Sequence, residues 1–256
     1  MKKIKKQLIL IKKQLLLIRA IRILVGKARF YYYARIKNNI DTIESKHAID
    51  HTIKHNLKSL SSFGNPRMDK LIKPISILEN IPKDAKILVI GPRNEDDILN
   101  LIGNGFNSKN IIGLDLISYS PFIEIGDMHN TRFDDASFDV ILCGWTLSYS
   151  NEPSQFAKEA LRIIKDRGVI GVGVEYSTMT DEQAISVHNG YVLKPDHFDR
   201  INSTDQIFEL FDGHVKHVFF NHNAPNKISH TDTLVDNVSN VITIFSVTKN
   251  LESNLN

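Results

Sequence analysis

From Ala85 onward, short apolar runs alternate with longer stretches in which apolar residues recur every three or four positions. The runs Lys86–Ile90, Asn110–Asp115, Phe122–Gly126, Phe138–Cys143 and Gly168–Val174 predict five strands, the third of them the weakest. Glu95–Gly103 and Pro153–Lys165 predict helices between them. In the second helix Phe156, Ala160, Ile163 and Ile164 share one side, while Lys158, Glu159 and Arg162 lie elsewhere. Asn94 suits the N-cap of the first, and Glu95, Asp96 and Asp97 suit its positive end. Further on, Ser203-Thr-Asp-Gln206 is a capping-box start for a short helix, Asp205–Phe211. Two last runs, Val215–Phe220 and Val241–Thr248, have no helical pattern between them and should pair antiparallel. The whole predicts an α/β, Rossmann-like doubly wound fold: a mostly parallel seven-stranded sheet with an antiparallel last strand, plus an N-terminal helical extension.

Four segments follow from the same pattern: a basic helical arm (1–40), a helical lead-in (41–84), the α/β domain (85–250) and a tail (251–256). The arm nearly repeats itself, Ile4-Lys-Lys-Gln-Leu-Ile-Leu10 being followed by Ile11-Lys-Lys-Gln-Leu-Leu-Leu17. Ile4, Leu8, Ile11, Leu15 and Ile18 share a helical face, but Leu10 and Leu17 fall well away from it. In the lead-in, His47, His51 and His55 recur every four residues; on a helix they would form a solvated polar face rather than a metal site, since no cysteine supplements them.

Charge sharpens the division. Residues 1–40 carry twelve Lys or Arg and no Asp or Glu, leaving twenty basic and twenty-nine acidic side chains in the rest. Three readings of the arm are open: an interfacial helix on anionic lipid or a docking element for a protein partner, an arm for nucleic acid, and a helix packed on its own domain. Lys12, Lys13, Arg19 and Arg22 interrupt every apolar run, which argues against a membrane span and against a secretory signal. Cys143 stands alone within an apolar run, so it forms no intramolecular disulfide and reads as a small buried side chain. The expected location is cytoplasmic, with membrane association through the arm as an option.

The richest chemistry lies between Ile87 and Asp115. A buried strand ends at Gly91, a polar turn Pro92-Arg93-Asn94 follows, and a helix begins; such a turn makes a ligand-binding crevice at a helix N-terminus. The next strand ends in Asp115, placed to grip ribose hydroxyls, so a nucleotide-like cofactor is expected.

The segment Gly126-Asp-Met-His-Asn-Thr-Arg-Phe-Asp-Asp-Ala-Ser-Phe-Asp-Val-Ile-Leu142, together with Leu161-Arg-Ile-Ile-Lys-Asp-Arg-Gly-Val169 and the closing strand pair, resembles the class I S-adenosylmethionine-dependent methyltransferases over about residues 68–249. The resemblance implies S-adenosyl-L-methionine as cofactor, with Asp127 and Met128 flanking its adenine. It implies cofactor contacts from Gly91, Pro92, Arg93, Asp115, Leu116, Asp127, Met128, Gly144 and Trp145. The turn departs from the family's glycine-rich pattern: Val89 replaces an acidic residue, and Arg93 and Glu95 stand where later glycines would be. Compensation is one reading, Arg93 pairing with the cofactor's carboxylate and Glu95 or Asp96 with its amine; the other is that both are exposed turn residues.

His129, Tyr149 and Glu175 are the candidate catalytic residues, His129 and Glu175 as bases and Tyr149 as a pocket aromatic beside Trp145. The segment Ser177–Asn202, with His188, Tyr191 and His197, reads as an irregular cover over the site. Gly144-Trp-Thr-Leu-Ser-Tyr149 replaces the Asn/Asp-Pro-Pro-aromatic run of nucleic-acid amino-methyltransferases, and no divalent-metal carboxylate set is evident. A small-molecule, glycan or lipid-linked acceptor is therefore expected. Two alternatives stand beside it: a catalytically silent binding or scaffolding protein, and a nucleic-acid methyltransferase using the basic arm.

Overall fold

The computed structural model describes residue 7 and residues 11–48, 52–176, 201–223 and 240–250. The expected cover at 177–200 and the tail at 251–256 lie outside the described residues. In chain order the elements are α1 (Arg19–Phe30), a π-helical continuation Tyr31–Ile36, β1 (Asp41–Thr42), α2 (Thr52–Ser59), α3 (Asp69–Ile77), β2 (Ile87–Ile90), α4 (Asp96–Gly103), β3 (Ile111–Asp115), β4 (Ile117–Ser118) and β5 (Ile123–Ile125). The chain continues through β6 (Phe138–Gly144), α5 (Pro153–Ile163), β7 (Ile164–Glu175), α6 (Thr204–Leu210), β8 (Val215–His222) and β9 (Asn240–Val247).

Seven strands form one sheet in the order β5-β3-β2-β6-β7-β9-β8, and the last strand in sequence, β9, is antiparallel to both its neighbours. The order reverses between β2 and β6, and a ligand crevice opens at such a switch point, at the carboxyl ends of the strands. The apolar runs are continuous because both sheet faces are covered. Ile87, Val89, Val140 and Leu142 point to the core layer shared with α3 and α4. Leu88, Ile90, Ile141 and Cys143 point to the layer shared with α5 and α6. Burial in that layer pushes the Cys143 thiol up to about 12, so it is a packing group. The predicted capping box is present, Ser203 accepting from the Gln206 backbone while the Gln206 side chain reaches back.

The lead-in differs from the continuous helix expected. It begins as a strap: β1 pairs antiparallel with β4, and the Ile43 amide donates to the Leu116 carbonyl at 2.9 Å. The strap then crosses to the far side of the sheet's end, where Ala48 bridges Ser150 and the Asn151 amide donates to the His47 carbonyl at 2.8 Å. His47 therefore lies outside any helix and does not share a face with His55 in α2; it pairs with Glu152 at 3.0 Å. His51 lies outside the described residues.

The arm packs on its own domain, and with an unusual polarity. Gly26 sits against the Phe63 ring, where a Cβ would come within 2.6 Å of it. On the same face Arg22 Nε reaches Asp96 Oδ1 at 3.0 Å, and Arg29 Nη2 reaches Glu95 Oε1 at 3.0 Å. Lys13 Nζ donates to the Phe106 carbonyl at 3.0 Å, and Arg19 donates to the Gly64 carbonyl. Four of the arm's cations are thus bonded to the protein itself. Among the described residues, no helix is long and apolar enough to cross a membrane.

Candidate functional site

At the switch point lies a cavity that opens to solvent. Its floor is Ile90 and Gly91 after β2, Leu114–Leu116 at the end of β3, Gly126–His129 after β5, and Gly144–Thr146 with Tyr149 after β6. Its roof is the strap and α2, which contribute Ser45, Ala48, Thr52 and Asn56, with Arg67 further along. A second chamber adjoins it, sharing Gly91, Arg93, Arg67, Gly144 and Trp145 and adding Pro92, Asn94, Asp96 and Asp97.

The turn after β2 is held by three features. Gly91 has φ +63°, and its amide donates to the Leu114 carbonyl at 2.8 Å. A Cβ on Gly91 would overlap the Thr146 side chain, which is itself fixed by a 3.1 Å bond to the Ile90 carbonyl. Arg93 has φ +53°, the left-handed conformation that glycine would adopt without strain. Its amide donates to Asp115 Oδ2 at 2.8 Å, so the carboxylate that ends β3 also fastens the turn. The N-cap of α4 is Glu95 rather than the expected Asn94, which instead closes the turn just before it, Oδ1 accepting the Asp96 amide at 3.0 Å.

Charge at the site is set by burial and hydrogen bonding. Desolvation pushes the Asp115 carboxyl up to about 6, against backbone donors from Arg93, Ile117 and Leu116. Desolvation, reinforced by neighbouring Asp96, pushes Asp97 up to about 8. Asp127 is the opposite case. Burial opposes its charge, but hydrogen bonds from His129 and Ser45 outweigh this and hold its carboxyl well below the usual range. Asp127 Oδ1 meets His129 Nδ1 at 2.5 Å, and Oδ2 accepts from Ser45 Oγ at 2.5 Å. Two polar atoms on the cavity wall are buried with no partner among the described residues: Arg93 Nε and Asn56 Oδ1. A buried orphan donor or acceptor is costly, and a bound ligand is a natural partner for it.

Of the candidate cofactor residues, Gly91, Arg93, Asp115, Leu116, Asp127, Met128, Gly144 and Trp145 converge on the cavity; Pro92 lines the adjoining chamber. Tyr149 and His129 also line the cavity, whereas Glu175 lies off its wall and pairs with Arg67 at 2.5 Å. His129 is buried and both ring nitrogens are engaged, Nδ1 with Asp127 and Nε2 with Ser150 Oγ at 2.7 Å. Trp145 is a fixed wall, its Nε1 donating to Asn240 Oδ1 at 2.8 Å.

The reading of Glu95 or Asp96 as amine ligands needs correction, as does the reading of Glu95 as an exposed turn residue. Glu95 is fully buried and bonded to Arg29 and Ser120. Both Asp96 oxygens are taken, one by Arg22 and the other by the Gly64 amide at 2.9 Å. The acidic run that replaces the late glycines is the seat of the arm. Ser45, Asn56 and Arg67 escaped the sequence reading because they come from the lead-in, where no periodicity marks a roof. Among the described residues no three His, Cys, Asp or Glu gather as a metal site.

This sheet order, with a lone antiparallel strand between β7 and β8, and a cavity over its switch point define the fold of the class I S-adenosylmethionine-dependent methyltransferases. Residues 107–172 match the family model described as a methyltransferase domain. The match holds Asp115, Asp127–His129, Trp145 and Tyr149 but stops short of the altered turn. No curated protein matches the chain in sequence. Among solved structures, the methyltransferase in complex with the Trm112 activator of Haloferax volcanii shares 13% identity, covering 88% of this chain and 99% of that one, with a TM-score of 0.50. An S-adenosylmethionine-dependent methyltransferase of Methanococcus maripaludis shares 17% identity, covering 82% and 100%, with a TM-score of 0.46. The [4+2]-cyclase SpnF shares 13%, covering 88% and 95%, with a TM-score of 0.48. At such identities the likeness concerns the fold.

Proposed function

We propose that the chain transfers a methyl group from S-adenosyl-L-methionine to a small-molecule, glycan or lipid-linked acceptor. The observation that carries this is the convergence of Asp115, Asp127 and the unpartnered Arg93 Nε on one cavity at the switch point. The donor set fits the cofactor: carboxylates for ribose and adenine at one end, and a guanidinium for an α-carboxylate at the other. Asp115 would hold the ribose, Asp127 and Met128 the adenine edge, and Arg93 the carboxylate. Asp97 lines the adjoining chamber and, its carboxyl being pushed up to about 8, would meet the amine through its carbonyl oxygen. When bound, S-adenosylmethionine supplies a methyl group activated by its sulfonium. The protein's part is alignment: Trp145 and Gly144 shape the wall at the end of β6, and the strap and α2 exclude water.

A thermal-shift measurement with S-adenosylmethionine and S-adenosylhomocysteine tests the reading. At a hundredfold excess over Kd, binding stabilises by about 2.7 kcal/mol. That is expected to raise Tm by roughly 5–10 °C. No shift at millimolar ligand would favour the second reading, a catalytically silent binding protein. Two observations support that alternative: Arg93 occupies a glycine conformation, and the candidate bases His129 and Glu175 are already bonded.

Two further outcomes are expected. Arg93→Ala should weaken S-adenosylhomocysteine binding by about tenfold or more in calorimetry, the worth of one charge-assisted hydrogen bond. Unchanged affinity would remove Arg93 from the site. Binding should also weaken as pH falls through about 6, where Asp115 protonates and ceases to be an acceptor only. The same raised pKa makes this group's contribution to folding stability fall as pH rises from 3.8 to about 6, so the two pH trends oppose one another. Affinity measured from pH 5 to pH 8 distinguishes them.

A further inference from the structure

The arm helix turns arginines inward. An ordinary surface helix turns its apolar stripe to the core and its charges to water. In α1 Arg22, Gly26 and Arg29, spaced four and three residues apart, face inward beside the core-packed Val25 and Phe30, and both arginines are bonded to the acidic run at the start of α4. The outward face is Ala20, Leu24, Lys27, Ala28 and Tyr31, all exposed. Leu24 and Tyr31 stand seven residues apart on this face, 69% and 62% exposed, and Leu17, in the turn before α1, is 51% exposed. Ile36, at the end of the π-helical turn, is 61% exposed. Of these, Leu17 already fell away from the apolar face read from the sequence. The domain's own core does not use them.

We infer that this outward face docks on the surface of an anionic lipid bilayer. The charge around it decides between occupants. Residues 1–40 contain no acidic side chain, and exposed Lys12, Lys27, Arg35 and Lys37 flank or follow the stripe. A second copy of the stripe would bring these cations face to face, whereas an anionic surface complements them. An apolar line of Leu and Tyr set among lysines is the composition that settles at a headgroup boundary, the aromatic hydroxyl staying wet. Because Arg22 and Arg29 anchor the helix to α4, docking would hold the domain close to the surface rather than on a loose tether. The inference stands apart from the cofactor reading.

The test is flotation of the full chain with vesicles of phosphatidylcholine alone and of phosphatidylcholine mixed with phosphatidylglycerol. The wild type is expected to float with the anionic vesicles only, and less so at high salt. Leu24→Glu is expected to reduce that binding by about tenfold or more while thermal unfolding and S-adenosylhomocysteine binding stay unchanged. Tyr31→Ser serves as the milder variant should Leu24→Glu fail to fold. Failure of the wild type to float with anionic vesicles overturns the inference. So does undiminished flotation of both variants, which would leave only a polybasic effect. A dimer in sedimentation that Leu24→Glu splits into monomers would also overturn it, assigning the stripe to a second copy.

Discussion

Arg22→Ala is expected to lower the melting temperature by roughly 6–20 °C, the largest stability loss of any single arm substitution. Arg22 is 3% exposed and bridges α1 to the body: Nε to Asp96 Oδ1 at 3.0 Å, and Nη1 to Asn100 Oδ1 at 3.4 Å and to the Leu16 carbonyl at 3.3 Å. Removing one partner of a buried pair leaves the other charge without compensation, which costs about 3–5 kcal/mol. Here the stranded charge is Asp96, in the first turn of α4 and adjacent to Asp97. Asp97 is already pushed up by burial and by Asp96, and losing Arg22, which opposes that push, would raise it further. Asp96→Asn in the Arg22→Ala background should therefore recover part of the loss, and differential scanning calorimetry of the pair measures it. A loss below about 1 kcal/mol would show that the arm is an appendage and not a fixed part of the domain.

Gly91→Val should abolish cofactor binding without dissolving the sheet. The residue has φ +63°, forbidden in practice to a β-branched side chain, and a Cβ there would overlap Thr146. Thr146 cannot swing away freely, since its hydroxyl is bonded to the Ile90 carbonyl at 3.1 Å. Strain and overlap together cost about 3 kcal/mol, less than the stability of a typical domain. The turn must shift, and with it the Arg93 amide that donates to Asp115. Far-UV circular dichroism should stay close to wild type while S-adenosylhomocysteine binding falls at least about a hundredfold, the worth of two lost hydrogen bonds to charged groups. Wild-type affinity in this variant would show that the ligand does not rest against the β2 turn.

The central strands were legible because they are buried on both faces, so their residues had to be continuous apolar runs, whereas the edge strand β8 is largely exposed. Ile87–Ile90 and Phe138–Gly144 lie within a residue of their predicted bounds for that reason. Asp115 was legible because a carboxylate ending an apolar run marks the carboxyl edge of a sheet, and Asp127 because its segment resembles the methyltransferase pattern. The strap was not legible: β1 is two residues long, and its pairing with β4 depends on tertiary contact and not on local pattern. The direction of the arm was hidden by the ordinary expectation that arginine faces water. Its signal was nonetheless present. Arg22, Gly26 and Arg29 share a helical face, and Glu95-Asp96-Asp97 stands where a glycine-rich turn gives way to acid. The acidic end of the turn seats the arm, while its glycine end lines the cavity.

The proposed occupant of this cavity is S-adenosylmethionine. Calorimetric titration of the full chain with S-adenosylhomocysteine near pH 7.5 tests it most directly. Saturable binding of one ligand per chain is expected, weakened by Arg93→Ala and lost in Gly91→Val. Absence of binding at millimolar ligand, in a chain whose unfolding transition shows it to be folded, would contradict it.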